Sequence, residues 1–463
     1  MRRPSAPALL GLAAALAGAV GIISALTPEL ASRYDLVGGV LPPGVPEAAR
    51  IAALAFGVVL VWVSRSLARR KHRAWKLAIG IVVGSAVAHM AKGLDFEETT
   101  ATLLLLAALW RWRAEFTVRG DPKTRWPLAQ ALLALAAVGG LIELRLSDQM
   151  RFSERIEEAL LVVAAGLATR ALYLWLRPFA ERARQSGVER SAAEALVAER
   201  GEDSLAYFSL RRDKSYLFSA SGRSFLAYAV VGGAALVSGE PIGDADEYPE
   251  LLAEFGRLAA TRGWRVAVIG VSAEGLPLYK QLGFRSLYIG DEAIVRPEAF
   301  SLEGRAIRKV RQSVTRLAKA GQHVRILAID DVEEDLRTQI EQVSAAWRGN
   351  ARERGFSMAM DVLYACPGSV LAVAEDAEGR VDAFIHLVPS PASGGYSLAT
   401  MRRRPGTTNG LMEFLIVETL AWAKERGVPE LSLNFALFGR VLRLDNGCTH
   451  RFHRVFRFAL LKL

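Results

Sequence analysis

The sequence predicts an all-α membrane region of about six helices followed by a water-facing α+β part. Three observations carry this. Apolar residues make up 51% of the 463 positions and mean hydropathy is +0.21, yet the formal net charge is +10. That mixture is too apolar for an ordinary soluble enzyme and too charged for a pure transporter. Apolar runs of spanning length crowd residues 1–180, whereas short strand and helix patterns alternate beyond Pro178.

The runs are Ala8–Leu26, Ile51–Leu67, Trp75–Ala91, Thr99–Trp112, Pro127–Leu146 and Ile156–Leu176. Most reach the ~17–25 residues that a bilayer requires; the fourth has a short continuous apolar core, Leu103–Trp110. Arg2-Arg3 ahead of the first run imitates a signal peptide, but the further spans favour an uncleaved first helix. Six crossings put both ends on one side. Cations gather around Arg65–Lys76, Arg111–Arg125 and Arg177–Arg184, and they are sparser or offset by acids in the other loops. Positive loops mark the cytoplasm, so a multi-pass protein of a bacterial-type cell membrane with a cytoplasmic C-terminal part is expected, provided the fourth run crosses. Trp62, Trp75, Trp110, Trp112, Trp126 and Trp175 sit near span ends, as interfacial belts do. His89 and Glu143 lie inside runs but near their ends, where snorkelling to the interface is expected.

Residues 181–202 read as a connector, with a charged, Ala-rich helix at Ser186–Gly201. Residues 203–300 form a first α+β unit. Its expected strands are Ala206–Leu210, Tyr216–Ala220, Phe225–Val231, Ala234–Ser238, Arg265–Val271, Ser286–Ile289 and Ala293–Val295, with helices at Glu247–Arg262 and Glu274–Leu282. Residues 324–463 form a second unit. Strands are expected at Val324–Ile329, Val370–Glu375, Asp382–Pro389, Tyr396–Met401 and Leu431–Phe435, and helices at Asp335–Arg348 and Leu411–Arg426. The order of elements suggests two related units with mainly antiparallel sheets.

Between the units, residues 301–323 read as one amphipathic bridging helix. Arg305, Arg308, Lys309, Arg311, Arg316 and Lys319 are cationic, and no acid lies between Gly304 and Gln322. At about 100° per residue, Ile307, Val310, Val314 and Leu317 share one face, and most of the cations share the other. A single-sign face suggests an anionic partner (RNA, phosphate or anionic lipid), although a solvated helix face is the plainer explanation. Gly321 is the expected stop.

Two cysteines, Cys366 and Cys448, support neither a disulfide scaffold nor a zinc site. His450-x-x-His453 has no nearby acid or cysteine to complete a ligand set. Ser357 and His386 are present, but nothing ties them into a catalytic triad. No metal and no cofactor is expected.

Leu276-Pro-Leu-Tyr-Lys-Gln-Leu-Gly-Phe284 looks like the helix-to-strand corner of the GNAT acyltransferase fold. Asp203-Ser-Leu-Ala-Tyr-Phe208, Val237-Ser-Gly-Glu-Pro-Ile-Gly243, the basic helix, Trp347-Arg-Gly-Asn350, Gly355-Phe-Ser-Met358, Met401-Arg402, Asn409-Gly-Leu-Met-Glu-Phe414 and Ser432-Leu-Asn-Phe435 occur in this order. That series closely resembles the catalytic domain of the phosphatidylglycerol lysyltransferase family, the aminoacyl-phosphatidylglycerol synthases or multiple peptide resistance factors, over about Glu199 to Arg440. The resemblance implies a tandem GNAT-like fold. It also implies transfer of a lysyl or alanyl group from aminoacyl-tRNA to a phosphatidylglycerol hydroxyl, a cationised membrane and resistance to cationic peptides.

Residue chemistry fits that implication. An aminoacyl ester is already activated, so holding a polyanionic RNA beside a tethered lipid accounts for much of the task. Tyr396–Phe414 runs from a strand through a Gly-containing loop into a helix start, where backbone N–H groups receive phosphates. Arg402 and Arg403 are expected to bind phosphate there, next to Asn409. Glu413, one turn in, is expected either to orient or deprotonate the acceptor, or to complement the helix dipole. Ser357 is expected to donate a hydrogen bond in a pocket lined by Phe356 and Met358, with Asn434 at a strand end facing the cleft. Trp347 and Arg348 either stack on a tRNA base or pack.

Departures from the family pattern temper this. Members commonly carry acids between the double Arg and the Asn-Gly, where this chain has Arg404-Pro-Gly-Thr-Thr408, and an acid at the position of Ala399. The family usually continues into a longer basic and aromatic tail than Asn446–Leu463, and its lipid-flipping half is usually larger. Two other readings therefore stand beside the first: an acyl-CoA-dependent GNAT acyltransferase, and a catalytically silent lipid- or RNA-binding membrane protein.

Overall fold

The computed structural model describes residues 5–27, 45–93, 95–118, 120–121, 124–146, 154–177, 179, 181, 183–351 and 355–437. The chain forms two compact units. One is Met1–Glu181 with the short stretches Val231–Ala234 and Gly256–Arg265; the other holds the remainder.

The first unit carries six helices among the described residues: α1 (Ala6–Leu26), α2 (Val45–Ala68), α3 (His72–Gly93), α4 (Phe96–Arg111), α5 (Arg125–Leu146) and α6 (Glu154–Leu176). Among the described residues four segments are long and apolar enough to cross a bilayer: Ala6–Leu26, Val45–Ala68, His72–Ala91 and Glu158–Leu176. Helix α4 spans 16 residues, in keeping with the short apolar core of its sequence. Small residues let α1 and α2 touch: a Cβ on Gly18 would lie 2.7 Å from the Gly57 carbonyl, and one on Gly57 2.8 Å from that of Gly18. His89 does not snorkel. It is 2% exposed, its Nδ1 lies 4.0 Å from an Asp95 carboxylate oxygen, and it faces Gly21 of α1. The side chain of Glu143 and all of Cys448, His450, His453 and Asn446–Leu463 lie outside the described residues.

One end of this unit is knotted by polar contacts. Lys71 forms an isolated bridge with Val118, and its ammonium donates to the Leu176 carbonyl. The Trp75 and Trp175 indoles donate to Leu109 O (2.9 Å) and Arg73 O (3.2 Å). The α2–α3 loop, the α4–α5 loop and the end of α6 therefore meet at one end.

The second unit opens with α7 (Gly187–Arg200), started by a reciprocal capping box between Ser186 and Glu189. The first sheet contains β1 (Ser215–Phe218), β2 (Ser224–Val231), β3 (Ala234–Ser238) and β5 (Arg265–Ile269) in the order β1-β2-β3-β5, with β4 (Ile242–Gly243) paired to β2. Helix α8 (Tyr248–Arg262) connects β4 to β5, and α9 (Leu276–Gln281) follows β5. The second sheet runs β6-β11-β10-β9-β8-β7, built from β6 (Gly290–Val295), β7 (His323–Ala328), β8 (Val370–Glu375), β9 (Val381–Ser390), β10 (Gly395–Arg403) and β11 (Leu431–Leu437). Helices α10 (Arg308–Lys319) and α12 (Leu411–Glu425) share one apolar cluster with this sheet through Leu317, Leu411 and Leu415, while α11 (Glu334–Arg348) packs Leu336, Ile340 and Val343 into another.

Four expectations are corrected. Ala206–Leu210 is a 3-10 turn, not a strand: the Asp203 carboxylate accepts from Leu205 N at 3.0 Å and winds the chain, and all five residues are buried. Ser286–Ile289 is not strand; pairing begins at Gly290. Strand β6, placed by the sequence with the first unit, hydrogen-bonds to β11 in the second sheet, so the boundary between sheets falls before residue 300. The basic helix covers Arg308–Lys319 rather than 301–323. Gly304 at φ +93° and an N-cap without a side-chain acceptor leave the preceding turns non-helical, while Gly321 at φ +88° closes the helix where expected.

Candidate functional site

Strands β10 and β11 are parallel and joined through α12. They pair at Tyr396–Leu431 and Ser397–Ser432, after which the register of each is broken, between Leu398 and Thr400 and between Ser432 and Phe435. The two strands fork there. Asn434 lies in the fork, inside β11 rather than at a strand end, and is 8% exposed. Its amide donates to Leu398 O (2.7 Å) and Met358 O (2.8 Å), so one side chain ties β10, β11 and the Gly355–Met358 loop together. Its φ of +67° is a conformation that Asn tolerates better than most residues.

A polar network continues from the fork, with its serines buried and Glu292 exposed. Ser432 Oγ and Ser204 Oγ both donate to one oxygen of Glu292, Asn434 N donates to Ser432 Oγ (3.1 Å), and Ser397 Oγ donates to Ser204 O (2.7 Å). Asp203 adjoins it. Burial, reinforced by the Glu292 and Glu240 carboxylates, pushes its carboxyl up to about 6, against the hydrogen bonds from Leu205 N and Ser204. A raised acid pKa means the fold binds more protons than the unfolded chain between about pH 4 and 6, so stability falls as pH rises through that window. Asp203→Asn keeps the turn-forming acceptor without the charge. It is expected to remove this fall and to gain about 2 kcal/mol at pH 7, read as a flattened pH profile of the unfolding midpoint.

On the other side of the Gly355–Met358 loop, Lys214 is fully buried, donating to Phe208 O (2.7 Å) and Ser238 Oγ, with its ammonium 4.7 Å from the Phe356 ring centre. Burial holds the Lys214 ammonium well below the usual lysine range. Ser357 is 2% exposed, whereas Met358 is 39% exposed.

Two further clusters hold the remaining expected residues. Arg402 stacks on Trp347, with its guanidinium carbon 5.2 Å from the ring centre. Arg402 and Arg403 are successive strand residues, so they point to opposite faces of the sheet and do not form one phosphate clamp. Arg348 is half-buried next to Trp347 on α11. At the start of α12, Gly410 takes φ +87° and passes so close to Ser313 that a Cβ would lie 2.6 Å from its Oγ. The Arg316 guanidinium donates to Asn409 O (2.6 Å), which docks α10 on this turn. Glu413 lies exposed in the first turn of α12. Of the six bridging cations, Arg311 donates to Leu302 O and Gly304 O and Arg316 to Asn409 O; Arg305, Arg308, Lys309 and Lys319 are exposed without a protein partner among the described residues.

Sequence reasoning therefore placed Asn434, Met358 and Phe356 in contact with the fork or the loop beside it. It missed Asp203, Ser204, Glu292 and Lys214 as site residues, although Asp203-Ser204 opens one of the family-like motifs. The remaining signal, an acid-serine pair ahead of five buried residues, is readable only once the turn is known.

Similarity to solved structures defines the class first. The second unit has the fold of L-PGS from Bacillus licheniformis (TM-score 0.53, 24% identity, 61% of this chain and 84% of that one). It also matches the C-terminal domain of a candidate lysylphosphatidylglycerol synthetase from Agrobacterium fabrum (TM-score 0.51, 27% identity, 55% and 81%). Residues 194–462 match the phosphatidylglycerol lysyltransferase C-terminal family, and the chain belongs to that family. Relatives include the lysylphosphatidylglycerol biosynthesis bifunctional proteins LysX of Rhodococcus jostii, 33% identical over 84% of this chain and 38% of that protein, and of Mycobacterium tuberculosis, 34% identical over 83% and 36%. The chain thus spans well under half the length of these relatives.

Proposed function

We propose that the chain is an integral membrane acyltransferase that moves an aminoacyl group from aminoacyl-tRNA to a hydroxyl of phosphatidylglycerol, making the membrane less anionic. The observation that carries this is the family match over residues 194–462 on a chain whose preceding part supplies apolar spans. In the reaction the lipid hydroxyl attacks the ester carbonyl, a base takes its proton, and the tRNA 3′ oxygen leaves and is protonated. Glu413 is the proposed base, with Asn409 on the turn that starts the same helix and Ser357 buried in the Gly355–Met358 loop. Arg402, Arg403, Trp347 and Arg348 are proposed to receive phosphate or a terminal base, and Asn434, Phe356 and Met358 to shape the fork. The exposed cations Arg305, Arg308, Lys309 and Lys319 are proposed to dock the RNA, held in place by Arg311 and Arg316.

We infer further that six helices cross the membrane and leave the second unit in the cytoplasm. The meeting of the α2–α3 loop, the α4–α5 loop and the end of α6 at one end supports that parity, and these segments carry the excess of cations. Residues 203–300 and 324–463 are proposed to be two GNAT-like units, with β6 lent to the second sheet.

Lipid extracts of cells expressing the chain test the function. A ninhydrin-positive phosphatidylglycerol of matching mass is expected, reduced on the order of a hundredfold by Glu413→Ala. An unchanged lipid profile with the cognate charged tRNA supplied would count against the proposal.

A further inference from the structure

A groove of about 820 Å³ lies between α3 and α4, within the usual range for ligand sites. Ile79, Val83 and Leu103 line its apolar part, and Trp110, Arg111 and Arg113 stand at one end. That end lies where α3 begins and α4 finishes, since the Trp75 and Trp110 rings are 6.2 Å apart. Three other cations near this end have protein partners: Arg70 pairs with Glu115 (3.2 Å), Lys71 caps Leu176, and Arg73 bonds Thr124 (3.1 Å). Arg111 and Arg113 differ. Their guanidinium carbons lie 5.9 Å from the Trp112 ring centre and 5.4 Å from that of Trp110, both side chains are exposed, and neither has a carboxylate partner among the described residues. Arg113 adds one long bond, 3.5 Å, to Trp110 O.

We propose that this groove binds one anionic phospholipid, with an acyl chain against α3 and α4 and the phosphodiester on Arg111 and Arg113. Two guanidiniums at an interfacial tryptophan belt, beside an apolar groove, match a headgroup of net negative charge. A zwitterionic choline head fits poorly, because the indole faces that would hold its cation already carry arginines. The site is separate from the fork and does not rest on the transferase reading.

Native mass spectrometry of the purified full chain tests it, with phosphatidylglycerol or phosphatidylcholine of identical chains added in turn. The wild type is expected to retain one phosphatidylglycerol on the order of tenfold more than phosphatidylcholine. Arg111→Gln with Arg113→Gln is expected to remove that preference, whereas Arg111→Lys with Arg113→Lys preserves most of it. Ala107 also lines the groove, and Ala107→Trp, which fills it, is expected to lower retention even with both arginines present. Equal retention of the two lipids by the wild type, a preference that survives the double Gln variant, or retention indifferent to Ala107→Trp would each overturn the proposal.

Discussion

Asn434→Ala is expected to destabilise the second unit by about 3 kcal/mol and to abolish transfer. The two buried hydrogen bonds to Leu398 O and Met358 O contribute about 1 kcal/mol each, and both carbonyls are left without that partner. A left-handed φ of +67° adds about 1 kcal/mol once the side chain no longer favours it. Asn434→Gly separates the contributions: it restores the backbone freedom but not the bonds, and should recover about a third of the loss. Asn434→Asp has no donors for either carbonyl and should be no better than Ala. Unfolding midpoints of the purified full chain order these variants. If Ala and Gly prove equal, the φ contribution is wrong; if neither differs from wild type, Asn434 does not hold the fork.

The second large effect concerns the basic helix. Arg308→Ala with Lys309→Ala should weaken tRNA binding at least tenfold and flatten the dependence of log affinity on log salt by about one unit for each phosphate left unneutralised. Both side chains are exposed and without protein partners among the described residues, so the fold should be unaffected. Arg316 provides the contrast. Its guanidinium is committed to Asn409 O, so Arg316→Met should change the salt slope little while loosening the turn that starts α12. Binding titrations at several salt concentrations distinguish the two. A slope that Arg308→Ala and Lys309→Ala leave untouched removes α10 from the RNA site.

How far the sequence disclosed this architecture depended on the scale of the feature. Val370–Glu375 and the start of α12 were legible to the residue, because a continuous buried run and a Gly-closed apolar helix have few alternative readings. The start of the basic helix was not. Its periodicity extends back to Ile307 and hides the break at Gly304, which shows only as a left-handed φ. The 3-10 turn at Ala206–Leu210 looked like a strand because five consecutive buried residues satisfy either pattern, and the Asp203 side chain decides between them. Pairing of β6 with β11 is a long-range choice that local pattern does not encode. The site followed the same rule. Motif positions such as Asn434 and Met358 could be named in advance, but the bonds joining them to Leu398 and the Asp203–Glu292 network required tertiary contact.

The central claim is that the chain moves an aminoacyl group from tRNA to lipid. Its most direct test uses the purified full chain in phosphatidylglycerol vesicles with tRNA labelled in its aminoacyl group. Label is expected to pass into the chloroform-soluble fraction, ribonuclease pretreatment to abolish the transfer, and acyl-CoA not to replace the charged tRNA. Label that stays on every charged tRNA tried, or acylation that proceeds from acyl-CoA after ribonuclease, would contradict it.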